Sequence, residues 1–222
     1  DYVLKHYPAC NPARIKLIYR GVEPSEFPFQ YQPSATWLAQ WQQDYPELAG
    51  KQVLALPGRI TRLKGHETFL TLISALRAQG LPVHGLIVGG VEKKKRAYLA
   101  ELKARVAEMG LASDISFTGL RSDIRDVFSQ CQLVLSLSTQ PETFGRTVLE
   151  ALSLGTPVVA WDQGGVRETL RTCYPEGAVT TNDSAALEQA VIRTLQAGPR
   201  HTPVEHFRLT DMCANTLQAY SD

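Results

Sequence analysis

The sequence lacks the features that would make charge or membrane insertion its main property. Its 23 Lys and Arg residues almost balance its 22 Asp and Glu residues, so the formal net charge is +1. A chain without a broad positive field has no general means of gripping a nucleic acid backbone. No apolar run approaches the roughly 18 residues that a membrane-spanning helix needs. These absences predict that nucleic acid is not a partner and that the chain has no transmembrane helix.

Cysteine is scarce and widely spaced. The four cysteines, Cys10, Cys131, Cys173 and Cys213, lie at least 40 residues apart, and none belongs to a CxxC pair. An exported disulfide scaffold would show a denser pattern. We therefore expect reduced thiols in a cytoplasmic protein, with Cys131 as a small core residue. The chain also begins without Met or a signal peptide, and we expect it to be a piece of a longer protein.

Several well-known catalytic motifs are missing. The sequence contains no GxxxxGK[ST], HExxH or GxSxG, no cysteine and histidine cluster with zinc spacing, and no DxD pair. Gly89-Gly90 follows an apolar run but does not extend to GxGxxG, which weakens a dinucleotide-binding interpretation. We expect a site that works without a metal ion.

After residue 51, short apolar runs alternate with amphipathic segments of helical length. Such alternation predicts an α/β fold, a Rossmann-like parallel sheet with helices on both faces. The first two runs close with Pro57-Gly58 and Gly89-Gly90, which are turn signals. The predicted strands cover residues 53–56, 83–88, 115–118, 133–137 and 158–161, and the main helices cover residues 69–76, 94–109, 144–154, 165–171 and 184–197.

The segment before this alternation has a different character. Residues 1–50 hold six of the thirteen prolines, together with a strand-like run at 15–19. Trp37, Trp41 and Tyr45 fall at helical spacing, which predicts a short helix covering the domain. We divide the chain into a connecting segment at 1–50, a Rossmann-like domain at 51–200 and a C-terminal helix at 201–222.

The segment PETFGRTVLE, residues 141–150, joins a predicted strand end to a helix. Ligands of parallel sheets bind beyond the carboxyl ends of the strands. Gly145 allows the backbone to come close to a ligand, and free N–H groups at a helix start suit a phosphate. Thr143 is the predicted N-cap. Taken singly, Glu150 is expected to be solvated, and Glu142 to be an acid placed against the positive helix end.

Arg59 and Lys64 bracket the first predicted strand–helix turn, within GRITRLKGH at residues 58–66. Two fixed cations beside a helix N-terminus hold a diphosphate without a metal ion. Each cation taken alone is compatible with ordinary surface charge. Lys64 is unfavourable for the helix dipole at that position, which favours a functional reason for its presence.

These residues together resemble the signature of glycosyltransferase family 4. The resemblance rests on Glu142 and Glu150 with seven residues between them, followed by Gly164-Gly165 and Glu168, and on Gly58-Arg59, Lys64-Gly65-His66-Glu67 and FTGL at 117–120. It runs in order from about residue 51 to 197. The family contains retaining, nucleotide-sugar-dependent enzymes of the GT-B fold, which has two Rossmann-like domains with the active site between them.

The resemblance implies a role for each matching residue. Arg59 and Lys64 would neutralise the departing diphosphate, and Glu142 would bond hydroxyls of the transferred sugar, so these three would be the catalytic residues. Glu150 would bond the ribose hydroxyls. The implied donor-binding residues are Phe144, Gly145, Arg146 and Thr147, whose backbone amides would hold the phosphates or the sugar, Glu150 at the ribose, Gly58 at the first turn, and Gly119, Leu120 and Arg121 beside the base.

The resemblance covers only the second, donor-binding half of a GT-B enzyme. The implied substrate is a UDP- or GDP-sugar, with no further cofactor and no metal. A glycan or lipid-linked acceptor would bind through an N-terminal domain that is missing here, so we expect the chain alone to bind donor weakly and turn over nothing. The helix within 205–220 would cross back to that domain.

The implied process is bacterial cell-surface polysaccharide or lipopolysaccharide synthesis, in the cytoplasm or at the inner face of its membrane. Membrane contact through the basic run at residues 93–96 is one interpretation, although charge patterning favours a solvated helix face. Two other functions stay open: a nucleotide-sugar epimerase of GT-B architecture, and a nucleotide-binding module without chemistry. The spacing of Glu142 and Glu150 favours transfer.

Overall fold

The computed structural model describes residues 2–199 and 202–221, and six parallel strands form its centre. The strands are paired in the order β3-β2-β1-β4-β5-β6. They are nearly continuous apolar runs, as expected for parallel strands buried on both faces. Their bounds are β1 Gln52–Pro57, β2 Val83–Val88, β3 Ile115–Gly119, β4 Leu133–Ser136, β5 Val158–Trp161 and β6 Ala178–Val179.

Helices cover both faces of this sheet. Alternate residues of each strand point to opposite sides, so Leu54 and Leu56 join one hydrophobic cluster while Val53 and Ala55 join the other. The bounds of the helices are α1 Tyr2–His6, α2 Ala35–Asp44, α3 His66–Ala78, α4 Arg96–Glu108, α5 Ile124–Ser129, α6 Arg146–Leu154, α7 Gly164–Cys173, α8 Ser184–Ala197 and α9 Leu209–Ser221. The first cluster lies under α3, α4 and α8, and the second under α2, α5, α6 and α7. The predicted fold class is confirmed.

The order of the strands reverses between β1 and β4. After β1 the chain builds outward through β2 and β3, then returns to place β4 on the other side of β1. In doubly wound sheets, ligands bind at the carboxyl ends of the strands beside such a reversal. The loops that follow β1 and β4 therefore face each other at this edge.

Five predicted strands are confirmed, with ends that differ by no more than one residue. The structure adds three elements that the sequence pattern did not reveal, α1, α5 and β6, because five, six and two residues are too short to display a period. The predicted helix at 94–109 begins later, at Arg96, since Lys93–Lys95 form a 3-10 turn. Cys131 is buried in the core, as expected, and Trp161 is buried as well.

The prediction of a strand at residues 15–19 is wrong. This stretch has no regular structure, and the nearest bridge joins Val22 to Arg208 beside the start of α9. The predicted helix around Trp37 and Trp41 is confirmed as α2, and the two indole rings are stacked with centroids 5.1 Å apart. The Nε1 of Trp37 donates to the carboxylate of Asp123 at 2.7 Å, which fastens α2 to the domain. The division of the chain at residues 50 and 200 stays a prediction.

Gly65 marks a close approach between the first loop and β4. It has φ +75 and precedes α3, and a Cβ at this position would lie 2.7 Å from the carbonyl carbon of Leu137. Gly110 offers a comparison, because it has φ +67 and no atom within 4 Å of an added Cβ. Both positions carry the conformational penalty of a left-handed backbone, but only Gly65 adds a steric one.

We predict that Gly65→Ala destabilises the chain well beyond Gly110→Ala. Both substitutions should cost about 1–2 kcal/mol for the left-handed conformation. Gly65→Ala should cost about 1–3 kcal/mol more, because the backbone of Leu137 must move. Urea unfolding of the two variants measures the difference. Equal free energies of unfolding would show that the two loops are not held at this distance.

Candidate active site

The loops after β1, β4 and β5 meet at the carboxyl edge of the sheet. Each loop is bonded to another, so that the three form one surface rather than independent turns. The hydrogen bonds run from Thr139 N to Leu63 O at 2.8 Å, from Gly165 N to Glu142 O at 2.8 Å, and from Gln163 Nε2 to Ser138 O at 2.5 Å. This bonding positions the side chains that the loops carry.

Lys64 and Glu142 form an ion pair at the strand reversal. The Nζ of Lys64 lies 2.6 Å from Oε1 of Glu142, and about a quarter of each side chain is exposed (28% and 25%). The hydroxyl of Ser138 donates to the same Oε1. One carboxylate oxygen is thus held twice. Lys64, which is unfavourable for the helix dipole, has the carboxylate of Glu142 as its partner.

Arg59 lies apart from this pair. Its Nη1 is 2.8 Å from Oε1 of Glu92, and 73% of the Arg59 side chain is exposed. Lys95 approaches the other oxygen of Glu92 at 3.9 Å. The structure therefore brings together Lys64 and Glu142 but not Arg59. An exposed ion pair of this kind contributes about 0–1 kcal/mol, so Arg59 is readily released toward an anionic ligand.

The turn before α6 presents backbone donors. Gly145 has φ +76, and α6 begins at Arg146 with no side-chain cap, so the prediction that Thr143 is the N-cap is wrong. Among the described residues, no acceptor faces the N–H groups of residues 144–147, as expected for the first turn of a helix. Phe144 is buried, and Gly145 approaches the side chain of Val166. The turn has the chemistry of an anion site.

Glu150 is buried, and the expectation that it is solvated is wrong. Only 7% of its side chain is exposed, and its Oε1 accepts from Nε of Arg146 at 2.7 Å. Burial raises the pKa of the Glu150 carboxyl, while Arg146 lowers it and Glu26 adds a smaller rise. The sequence missed this burial because α6 packs against elements from other parts of the chain, among them α5 and α7.

The turn after β3 offers an apolar side chain instead of a charge. Gly119 has φ +71, and Leu120 is 86% exposed beside Gly90. Arg121 turns away from this edge, because its Nε donates to Asp123 at 2.8 Å and its guanidinium faces the Trp41 ring. The hydrogen bond to Asp123 raises the pKa of Arg121. Leu120 and the backbone of the turn are thus what this loop presents.

Two further positions complete the first loop. Gly58 has φ +142, and a Cβ there would lie 3.2 Å from Cδ of Lys64, so the lysine chain packs directly on this glycine. His66 is buried, with Nδ1 3.2 Å from the carbonyl oxygen of Thr61, and burial lowers its pKa. His66 therefore packs inside the domain as a neutral ring.

Sequence reasoning missed Ser138 and Gln163. Ser138 bonds the Glu142 carboxylate, and Gln163 holds the Ser138 carbonyl oxygen. Their one sequence signal is position, since each follows the apolar run of a strand by one or two residues.

Across residues 2–199 and 202–221, no group of three or more His, Cys, Asp or Glu is arranged to hold a metal ion. Within the same ranges, no helix combines the length and apolarity required to span a membrane.

Comparison with known proteins gives one family. The family model described as "Glycosyl transferases group 1" matches residues 51–197. A lipopolysaccharide core biosynthesis mannosyltransferase, LpcC from Rhizobium leguminosarum bv. viciae, is 31% identical over 144 residues. That match covers 65% of this chain and 41% of the mannosyltransferase, so the chain spans less than half of that relative.

Solved structures share the fold. A glycosyltransferase from Rickettsia africae has a TM-score of 0.83 at 23% identity, with 99% of this chain and 60% of that chain covered. Anabaena HepE in complex with UDP and glucose has a TM-score of 0.77 at 24% identity, with 93% and 56% covered. The chain therefore belongs to the glycosyl transferases group 1 family, and its Rossmann-like fold is that of a GT-B glycosyltransferase domain.

Proposed function

We propose that the chain is the donor-binding domain of a retaining glycosyltransferase. The donor is a nucleoside diphosphate sugar, and the acceptor is a glycan or a lipid-linked sugar. The observation that carries the proposal is the pairing of Lys64 with Glu142 at the strand reversal, beside the free N–H groups that open α6. Support for the donor class comes from HepE, whose structure contains UDP and glucose.

The charges of this surface suit the breaking of a sugar–diphosphate bond. As that bond breaks, positive charge develops on the sugar carbon and negative charge on the departing phosphate. Lys64, Arg59 and the amides of residues 144–147 stabilise the phosphate, which is the kind of preorganised electrostatic stabilisation that lowers a barrier most. Glu142 accepts hydrogen bonds from sugar hydroxyls through the oxygen that Ser138 and Lys64 leave open. These groups account for the neutralisation without a metal ion.

The nucleoside part of the donor is assigned to the other side of α6. Glu150 bonds the ribose hydroxyls, and the base lies against the exposed Leu120 at the turn after β3. A carboxylate buried beside Arg146 is costly when it faces no ligand, and two ribose hydroxyls supply the hydrogen bonds it lacks. Arg121, fixed to Asp123, supports this turn rather than reaching the base with its guanidinium.

We assign the acceptor to a further domain of the whole protein. Exposed apolar side chains, including Leu17, Leu217 and Tyr220, lie outside the sheet on the first segment and on α9. A surface of this kind suits a neighbouring domain. Given the Rhizobium relative, we propose polysaccharide or lipopolysaccharide synthesis in the bacterial cytoplasm, with residues 93–96 as a contact for an anionic membrane surface.

The first test is a thermal-shift panel of the chain with UDP, GDP, ADP and their sugar conjugates. A ligand at 100 times its dissociation constant should stabilise the fold by about 2.7 kcal/mol. We expect stabilisation by the diphosphates of one base, with the nucleoside lacking phosphates as the control. A folded chain that responds to none of these nucleotides would contradict donor binding by this domain.

Glu150→Gln should separate stability from binding. Because burial raises the carboxyl pKa, the folded chain takes up a proton more readily than the unfolded chain, and unmodified stability falls as pH rises above the ordinary value of about 4.3. We expect Glu150→Gln to be at least as stable as the unmodified chain at pH 7, with the difference vanishing near pH 4.

The same variant should lose nucleotide affinity by about tenfold or more, because a charged acceptor of two hydroxyls is replaced by a neutral amide. Unfolding at several pH values and nucleotide titration measure the two effects. Glu176→Gln, at an exposed glutamate, is the matched control and should change neither. Unaltered affinity in Glu150→Gln would remove Glu150 from the donor site.

Arg59→Ala in the full-length enzyme tests the role in catalysis. Removal of one charge that stabilises the leaving group should lower turnover by about 100-fold or more. The control is Arg62→Ala, since Arg62 is also an exposed loop arginine paired with a glutamate, Glu101. Steady-state rates with saturating donor measure the effect. Near-normal turnover in Arg59→Ala would overturn the proposed mechanism.

A further inference from the structure

Phe207 has a backbone conformation that a bulky residue rarely adopts. Its φ is +60, in the left-handed region, where most residues pay a steric penalty. Two hydrogen bonds immediately after its Cα, on either side of Arg208, join this segment to Val22. The carbonyl oxygen of Phe207 accepts from Val22 N at 2.9 Å, and Leu209 N donates to Val22 O at 3.1 Å. A strained residue that persists is a reason to look for what the strain positions.

Two chain segments approach each other closely next to Phe207. Residues 20–23 of the first segment run beside residues 207–209, which lead into α9. A Cβ at Gly21 would overlap the backbone of Arg208, so only glycine permits the approach. The two segments therefore hold Phe207 from its backbone, independently of its side chain.

The ring of Phe207 lies between the first segment and the candidate active site. Its centroid is 5.3 Å from that of Tyr19 and 5.9 Å from that of Phe144, with interplanar angles of 72° and 74°. Both are edge-to-face contacts of the favourable kind. Phe144 belongs to the turn between Glu142 and Gly145, so Phe207 contacts the residue that carries one of the free N–H groups.

The backbone and the ring of Phe144 have separate contacts. Its carbonyl oxygen accepts a long bond of 3.4 Å from the hydroxyl of Thr169, and its Cα is approached by Gly165. These contacts fix the carbonyl side of the turn. On the aromatic side, Phe207 packs against the second hydrophobic cluster, to which Phe144 belongs, and makes an edge-to-face contact with the Phe144 ring.

We propose that Phe207 is a positioning residue for the donor-binding turn at residues 142–147. It acts through Phe144, whose ring it holds so that the amides of the turn converge on the phosphates. The proposal rests on the proposed function of that turn. The segment before α9 would then help to position the donor-binding turn, although it lies about 60 residues from that turn in the sequence.

The test uses three substitutions of Phe207 in the 222-residue chain, with UDP and GDP as probes in calorimetric titrations. Phe207→Ala removes the ring and keeps the backbone penalty. Phe207→Gly removes the ring and also the penalty of the left-handed backbone, because glycine adopts positive φ freely. It should therefore unfold at a higher denaturant concentration than Phe207→Ala. Phe207→Tyr keeps the ring.

We expect Phe207→Ala and Phe207→Gly to weaken nucleotide binding alike, by about tenfold, the loss expected when one residue of a turn must be ordered on binding. Phe207→Tyr should restore most of the affinity. If Phe207 contributed to stability alone, the affinities of the two variants would differ in the same direction as their stabilities, with Phe207→Gly binding more tightly than Phe207→Ala.

Tyr19→Ala is the matched control, because it removes the ring on the other side of Phe207 without touching Phe144. It should leave the dissociation constant within about twofold of the unmodified chain. Nucleotide binding that is unchanged in Phe207→Ala and Phe207→Gly overturns the role of Phe207 while the proposed function stands. If the unmodified chain binds neither UDP nor GDP in the titrations, and does not bind ADP in the thermal-shift panel, both the proposed function and this inference are contradicted.

Discussion

The parallel pairing of β1 with β4 is the constraint on which the rest of the structure depends. Parallel neighbours need long crossovers, so helices must cover both faces and all carboxyl ends must lie on one edge. Because β4 joins β1 on the side away from β2, the loops that carry Lys64 and Glu142 become neighbours. Two residues 78 positions apart thus form an ion pair. Strand order brings these two loops together, and the side chains can pair only because the loops are neighbours.

Charge at this edge is paired before any ligand arrives. Lys64 is held by Glu142, Arg59 by Glu92, and Glu150 by Arg146. The three pairs differ in burial, and therefore in what a ligand must do to each. The exposed pair of Arg59 opens at little cost, whereas Glu150 carries a desolvation penalty that only new hydrogen bonds relieve. This combination of charges suits the ligand that we propose, a nucleoside diphosphate sugar, because that ligand offers anionic and hydroxyl groups together.

Close backbone approaches supply the precision that these charges need. Gly65 brings the first loop against the carbonyl group of Leu137, and Gly145 sets the turn before α6 against Val166. Glycine permits both close contacts without strain, since it has no Cβ and tolerates positive φ. Phe207 has no such freedom, and its left-handed backbone lies next to the hydrogen bonds that join the first segment to the start of α9.

The sequence by itself determined the sheet, most of its strands, and which residues stand at its carboxyl edge, because apolar runs and turn residues follow local periods of two and 3.6. Only the tertiary structure decided which partner each charged group takes. It turned Arg121 toward Asp123, buried Glu150 beside Arg146, and placed Phe207 against Phe144. The physical reason is that a local pattern records which face of an element is buried, whereas side-chain partners are set by elements that meet from distant parts of the chain.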